Sequence, residues 1–374
     1  MKKTVLFVPS NQNHARIFST LSNSLNKTYN VLFLTQDHYK NEGSENELNK
    51  LGIKFKPFKQ IHKDPIDILK EENVGVLVIG NDTDVIPQWF VNSANQIGIP
   101  SVLIQDGLFF DVATKQYRPK IKSNLKLILL TIRLLLLDKY HRVSDGHGGC
   151  TQIHVWGKKS QNYFIQKGVQ PDKIFVTGRI MRGTNQEIGC SKSKDFTVLL
   201  ARTNLLDSKL MSVKDYLRTL DELISVVSDY GIRLIIKPHP IDVKHIPTIT
   251  KYQNSIMMSN KNITELLCQC NVLITDLSTV CIQALEKNIP VIIFFPSITK
   301  LIDQSSFPND LIHKNIVMLA ENKNELYQCI GRILDGSFIL NHDALIDTLS
   351  DYVGSYSTNP IENSTKLIIK LLDS

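Results

Sequence analysis

The stretch "LIIKPHPID" (234–242) runs from an apolar segment straight into Lys237, Pro238, His239 and Pro240. Prolines on both sides of His239 restrict the backbone there, so its imidazole is held where an extended segment stops. A ring fixed beside a phosphate can donate a charge-assisted hydrogen bond, or serve as a general acid toward a departing phosphate. In "LITDLSTV", Asp276, Ser278 and Thr279 fall where an apolar run gives way to a helix. Backbone N–H groups and the helix dipole favour an anion at such a point; a plain Ser/Thr N-cap is the structural alternative. Arg202 ends a further apolar run, and Glu286 lies along the helix after Thr279, where it could accept from a ribose hydroxyl. Arg202, Lys237, His239, Pro240, Asp276, Ser278, Thr279 and Glu286 are therefore the candidate nucleotide-binding residues, with His239 also a catalytic candidate.

The first half offers different chemistry. Asn13 and His14 follow its first apolar run, and Gln105, Asp106 and Gly107 follow its fourth. A carboxylate at the end of a buried strand can take a proton from a hydroxyl, although Asp-Gly is also a common turn pair. Asp106 is the candidate general base, His14 the next, and Asn13, His14, Gln105 and Gly107 are expected on the acceptor side. No paired carboxylates stand at a strand end with a suitable neighbourhood, and no metal site or cofactor is expected.

Elements of one kind must position these residues. Val/Ile/Leu-rich runs at 4–10, 29–36, 74–82 and 99–107 alternate with helical stretches such as 15–25 and 87–96. Near-continuous apolar strands are buried on both faces, which predicts a parallel sheet covered by helices. Runs at 152–157 and 173–179 complete it. Polar 182–195 reads as a linker, and the pattern restarts at 196–203, 233–240, 255–260, 271–279, 289–295 and 315–320. The chain is thus predicted to form an α/β protein of two Rossmann-like domains facing each other across a cleft. Their expected spans are 1–182 and 195–355, followed by a C-terminal helix over 356–374. Ligands of such sheets bind beyond the carboxyl ends of the strands.

A length of 374 residues agrees with two cores, and 42% hydrophobic with 21% charged residues is the balance of a globular protein. The net charge of +7 favours anionic partners; without an aromatic RNA-binding motif or an Arg-rich helix, nucleic acid is not expected. Six scattered cysteines suggest neither a disulfide framework nor a zinc site, and fit a reducing cytosol. The Leu-rich stretch 122–142, "KSNLKLILLTIRLLLLDKYHR", is too short and too interrupted to span a bilayer. Two readings remain: an interfacial helix on an anionic membrane, with Leu134 to Leu137 inserted, or a buried helix between the domains.

With "VTGR", "IIKPHP" and "LITDLSTVCIQALEKNIPVIIF" in this order, the chain resembles the GT-B superfamily of nucleotide-sugar glycosyltransferases. The Lys-Pro-His-Pro and Ser-Thr elements are similar to those of bacterial sialyltransferases and polysialyltransferases, and of the CDP-glycerol transferases of teichoic acid synthesis. The UDP-N-acetylglucosamine 2-epimerases share the architecture. The resemblance implies an inverting, metal-independent transfer of a sugar, sialic-acid-like or acetamido, from a CMP, UDP or CDP donor. The implied acceptor is a surface polysaccharide or glycolipid, reached from the cytoplasm at the inner membrane face. It also implies Asp106 as base, His239 as phosphate ligand and acid, and Ser278 and Thr279 as nucleotide binders. Gln105 departs from the acidic residue of the sialyltransferase motif, and Asp106 from the histidine usual in the teichoic acid enzymes. A CDP-glycerol-type phosphotransferase, a 2-epimerase-like enzyme and a non-catalytic nucleotide-binding protein are the alternatives.

Overall fold

A computed structural model describes residues 2–36, 43–58, 64–109, 125–181, 195–203, 205–206, 211–239, 256–258, 261–295 and 307–374. The chain forms two compact units. One comprises Met1–Gly107, Ile121–Arg182 and Ser350–Ser374, the other Leu108–Lys120 and Gly183–Leu349.

In the first unit, β1 (Thr4–Val8), α1 (Gln12–Leu25), β2 (Asn30–Thr35), α2 (Ser44–Lys50), β3 (Lys56–Pro57), α3 (Pro65–Glu71) and β4 (Val74–Ile79) are followed by α4 (Val85–Gln96), β5 (Ser101–Ile104), α5 (Leu125–Leu136), β6 (Gln152–Val155), α6 (Lys158–Gln166) and β7 (Ile174–Val176). The strands pair in parallel in the order β3-β2-β1-β4-β5-β6-β7. Every residue of β1 and β5 is buried, because helices cover both faces. Phe7 on β1 stacks against Phe33 at 5.1 Å and Phe18 at 5.2 Å, joining strand, neighbouring strand and α1 into one core. Order reverses between β1 and β4, and residues after β1, β4 and β5 gather around that crevice.

The second unit contains β8 (Thr197–Ala201), α7 (Val213–Asp229), β9 (Arg233–Lys237), β10 (Ile256–Met258), α8 (Ile263–Gln269), β11 (Val272–Thr275), α9 (Val280–Leu285), β12 (Val291–Phe294), α10 (Asn309–His313), β13 (Met318–Ala320) and α11 (Lys323–Leu334). Its parallel sheet runs β10-β9-β8-β11-β12-β13. Val198, Leu200, Leu234, Ile236, Val272 and Ile274 pack on Leu220, Leu223 and Val227 of α7. Helix α12 (His342–Val353) bridges the boundary in sequence at Ser350, and α13 (Pro360–Asp373) belongs to the first unit.

Strands are two to five residues shorter than their apolar runs where the run continues into a turn; β4, for example, ends at Ile79 rather than Asp82, and β5 at Ile104 rather than Gly107. Contrary to the expectation of free cysteines, Cys268 is disulfide-bonded. Helix α5 matches neither reading of the Leu-rich stretch completely. Leu130 and Leu134 are buried, whereas Leu129, Ile132, Leu135, Leu136 and Leu137 are exposed. Leu134 therefore cannot insert with its neighbours.

Candidate functional site

Two groups of residues stand at strand ends, one in each unit. In the first, Asn11 caps α1: its Oδ1 accepts the His14 N–H at 2.9 Å. This places the His14 ring over the end of β4, where Gly80 has no side chain. A Cβ on Gly80 would lie 2.3 to 2.6 Å from three atoms of that ring, so only glycine leaves the ring its place. The ring is 2% exposed and stacks on Phe18 at 5.7 Å. Its Nε2 is 2.9 Å from Asp106 Oδ2, to which Asn11 Nδ2 also donates at 3.2 Å. Asp106 follows β5 and is 27% exposed.

The electrostatics of Asp106 follow from these neighbours. Burial pushes its carboxyl upward, but the electrostatic pull of the His14 ring and hydrogen bonds from His14, Asn11 and the backbone outweigh it and hold the group below the usual carboxylate range. It is ionised wherever an acceptor hydroxyl would meet it near neutrality. Both side-chain donors converge on Oδ2, and Oδ1 accepts from neither.

Gln105 has a different task from the one expected on the acceptor side. Its Nε2 donates to the Gly107 carbonyl at 2.7 Å and to Ser160 Oγ at 2.8 Å, while its Oε1 accepts the Trp156 N–H at 2.7 Å. Two donors and one acceptor are committed in a 2% exposed pocket, which a carboxylate could not satisfy. Gln105, through the Gly107 carbonyl, thus fixes the turn that carries Asp106. Asn13 is exposed on α1 and, among the described residues, takes no part in the cluster.

Sequence reading overlooked the neighbouring Asp82, which is 1% exposed after β4. Its Oδ1 accepts the Gly146 N–H at 3.2 Å and its Oδ2 the Gly148 N–H at 2.8 Å. A Cβ on Gly148 would lie 2.3 Å from the Asp82 carbonyl oxygen. The Gly-rich run "DGHGG" at 145–149 was the available signal.

In the second unit, Arg202 and Thr203 follow β8, Lys237 ends β9 with His239 two residues on, and Asp276, Ser278 and Thr279 follow β11. Since β9, β8 and β11 are adjacent, the topology brings these residues to one edge of one sheet. Lys237 and His239 are half-buried there. Pro240 lies outside the described residues. Thr279 is the residue before α9, its Oγ1 3.4 Å from the Leu108 N–H that donates to it, and Ser278 Oγ accepts the Val280 N–H at 3.3 Å. Glu286 caps the far end of α9 and is half-buried.

Two candidates sit deeper than expected. Asp276 is fully buried, and both its oxygens accept the Thr203 N–H, at 3.0 and 3.3 Å, tying the end of β11 to that of β8. Arg202 is 5% exposed, lies over the Tyr216 ring at 4.9 Å and donates to Thr219 Oγ1 at 2.9 Å. Burial lowers its proton affinity, against the attraction of Tyr216 and Asp276. Arg202 and Asp276 thus brace the strand ends on which Lys237, His239, Ser278 and Thr279 stand. Among the described residues no group of three or more His, Cys, Asp or Glu is arranged to hold a metal ion.

Residues 208–337 match the family of CDP-glycerol:poly(glycerophosphate) glycerophosphotransferases. No curated protein sequence matches the chain. Among solved structures, the UDP-GlcNAc 2-epimerase of Neisseria meningitidis, bound to UDP-GlcNAc, is similar with a TM-score of 0.61 at 14% identity, over 99% of this chain and 100% of that one. The Methanocaldococcus jannaschii UDP-GlcNAc 2-epimerase, in complex with UDP-GlcNAc and UDP, gives 0.63 at 13% identity, over 98% of this chain and 99% of that one. The wall teichoic acid polymerase TagF with CDPG gives 0.62 at 12% identity, over 99% of this chain and 89% of that one. At such identities the likeness is one of fold: two Rossmann-like α/β domains of the GT-B type.

Proposed function

We propose that this protein is a transferase that moves a sugar, sialic-acid-like or acetamido, from a nucleotide-activated donor onto a hydroxyl of a surface polysaccharide or glycolipid. The observation that carries this reading is the Asp106 carboxylate: partly exposed, held below the usual carboxylate range, and bonded by two side-chain donors through Oδ2 alone. In this reading Asp106 Oδ1 takes the proton of the acceptor hydroxyl as its oxygen attacks the anomeric carbon. The bond from that carbon to the donor phosphate oxygen breaks, and its electron pair leaves with the nucleotide. Lys237, His239 and the N–H groups after Thr279 stabilise the charge that develops there, a task protein cations and dipoles can perform without a metal ion. Inversion follows from attack opposite the departing phosphate. The inner face of the cell membrane is where acceptors of this class are met.

A second reading has its own support. The match over 208–337 spans β9, β11 and α9, which carry the phosphate-type residues. If the donor is CDP-glycerol, the same activated hydroxyl attacks the phosphorus next to the glycerol, and CMP departs. Thermal-shift measurements with CMP, CDP, UDP and GDP separate donor classes, because a ligand that binds the native state raises the melting temperature. Asp106→Asn is then expected to keep donor affinity and melting temperature while transfer falls by about a hundredfold or more. Lost affinity, or a lower melting temperature alongside the lost rate, would mean that Asp106 is a structural turn residue.

A further inference from the structure

We infer that His14 is a positioning residue, locked by the backbone as the Nε2–H tautomer, which holds the Asp106 carboxylate with Oδ1 turned to the acceptor and never takes the acceptor proton itself. The inference rests on the reading of Asp106 as the base.

Hydrogen-bond direction fixes the tautomer. The Ser10 backbone N–H donates to His14 Nδ1 at 3.1 Å. A nitrogen that accepts from a backbone N–H has its lone pair occupied and carries no proton, so the ring proton is on Nε2, 2.9 Å from Asp106 Oδ2. Both ring nitrogens are then committed. With the ring 2% exposed, an acceptor hydroxyl has neither a lone pair to use nor a path to it. Asp106, more than a quarter exposed, has both.

The lock is itself held in place. Gln36, just after β2, donates to Ser10 Oγ at 2.6 Å, fixing the residue whose N–H selects the tautomer. Asn11 binds the His14 N–H through Oδ1 and Asp106 Oδ2 through Nδ2, so one amide sets the spacing of the pair. Gly80 below and Phe18 beside the ring confine its plane, and the bonds from Ser10 and to Asp106 choose which nitrogen faces which. Protonating the ring would place an N–H at Nδ1 against the Ser10 N–H. In this hydrogen-bond pattern His14 serves Asp106 through the N–H at Nε2, and the ionisation of Asp106 governs the acid side of the rate profile. Among the described residues, Asp145 senses the charge of Asp106, and Asp82, Asp84 and Lys167 act on Asp145 in turn.

Two variants of the full-length protein test this, with transfer measured against pH on the donor that thermal shift selects. Glutamine offers one acceptor and one donor at comparable reach, so His14→Gln is expected to keep the acid limb of kcat/KM in place and kcat within about tenfold. Phenylalanine keeps the ring and its stacking but neither bond. In His14→Phe the acid limb is expected to move up by about one pH unit or more, with kcat reduced by about a hundredfold from the misplaced carboxylate and donor affinity by calorimetry unchanged. A folded His14→Gln protein as inactive as Asp106→Asn would make His14 the base and overturn the inference. An unmoved limb and rate in His14→Phe would overturn it while Asp106, if Asp106→Asn is inactive, stands as base. Full transfer by Asp106→Asn would remove both. Should His14→Phe not fold, the glutamine profile decides between positioning residue and base.

Discussion

Asp145 bears a cost that Asp106 does not. Its carboxyl is raised by burial, then by the charges of Asp82 and Asp84, with Lys167 acting against them and Asp106 adding to them. Asp82 is raised by burial too, against the pull of the Gly146 and Gly148 N–H groups. An acid whose folded value exceeds its unfolded one releases its proton first from the unfolded chain. Stability is therefore lost as pH rises from the ordinary carboxylate range through the folded value, and stays lost above it. Asp145→Asn removes that loss. It is expected to raise the melting temperature by about 2 °C at pH 7 and to change nothing near pH 3, as differential scanning calorimetry at the two pH values would read. An equal gain at both would assign the effect to packing instead. Asp106 has the opposite sign: it stabilises above the unfolded carboxylate range, and that contribution disappears as pH falls through its lowered value.

Helix α5 is apolar on two sides, which is why its role was not legible in its composition. Leu130 and Leu134, four residues apart, face the core, while Leu129, Ile132 and Leu136 share the opposite face with Arg133. Leu136 is 82% exposed. Burying one such side chain is worth about 2 kcal/mol, enough for several together to hold a protein at an interface. Of the basic residues nearby, Lys139 is paired with Asp64, and among the described residues Arg133 and Arg142 are exposed to solvent. Sedimentation with phosphatidylglycerol-containing vesicles is expected, falling with salt, and Leu136→Asp should weaken it about tenfold with melting temperature intact. Retention of the variant at the wild-type level would exclude this face as the contact. Elsewhere the elements were legible where burial is two-sided: β1, β4, β8 and β11 read as continuous apolar runs. The two-residue β3 at the sheet edge, Lys56–Pro57, was not, because an exposed edge strand carries no such run. That Asp106 stands just beyond β5 could be read from the sequence. The part played by Ser10, Asn11 and Gly80 could not, since it depends on a backbone N–H and on a gap opened by a distant glycine.

The first unit is closed by the last helix of the chain. Asn359 caps α13, Pro360 opens it, and Ile368 and Leu372 enter the core made by β1, α1 and β4. Ser364 Oγ meets His154 Nδ1 at 2.8 Å in the interior, and a Cβ on Gly75 would lie 2.8 Å from Leu372 Cδ2. Removing residues 360–374 would cost on the order of 5 kcal/mol in buried apolar side chains alone, comparable to the whole margin of a domain of this size. Limited proteolysis of the shortened chain is expected to digest the first unit and spare a fragment from about residue 195 to 349, whereas equal protection of both would show α13 to be dispensable. Synthesis meets the same arrangement in time. The strands of the second unit, 197–320, lie together in sequence, but those of the first, although made earlier, wait for roughly 180 further residues. At about 5–20 residues per second that is roughly ten to forty seconds of exposure on the ribosome. The half translated first thus waits for α13, and a stop codon in the stretch that encodes residues 360–374 would strike the unit built mainly from residues 1–182.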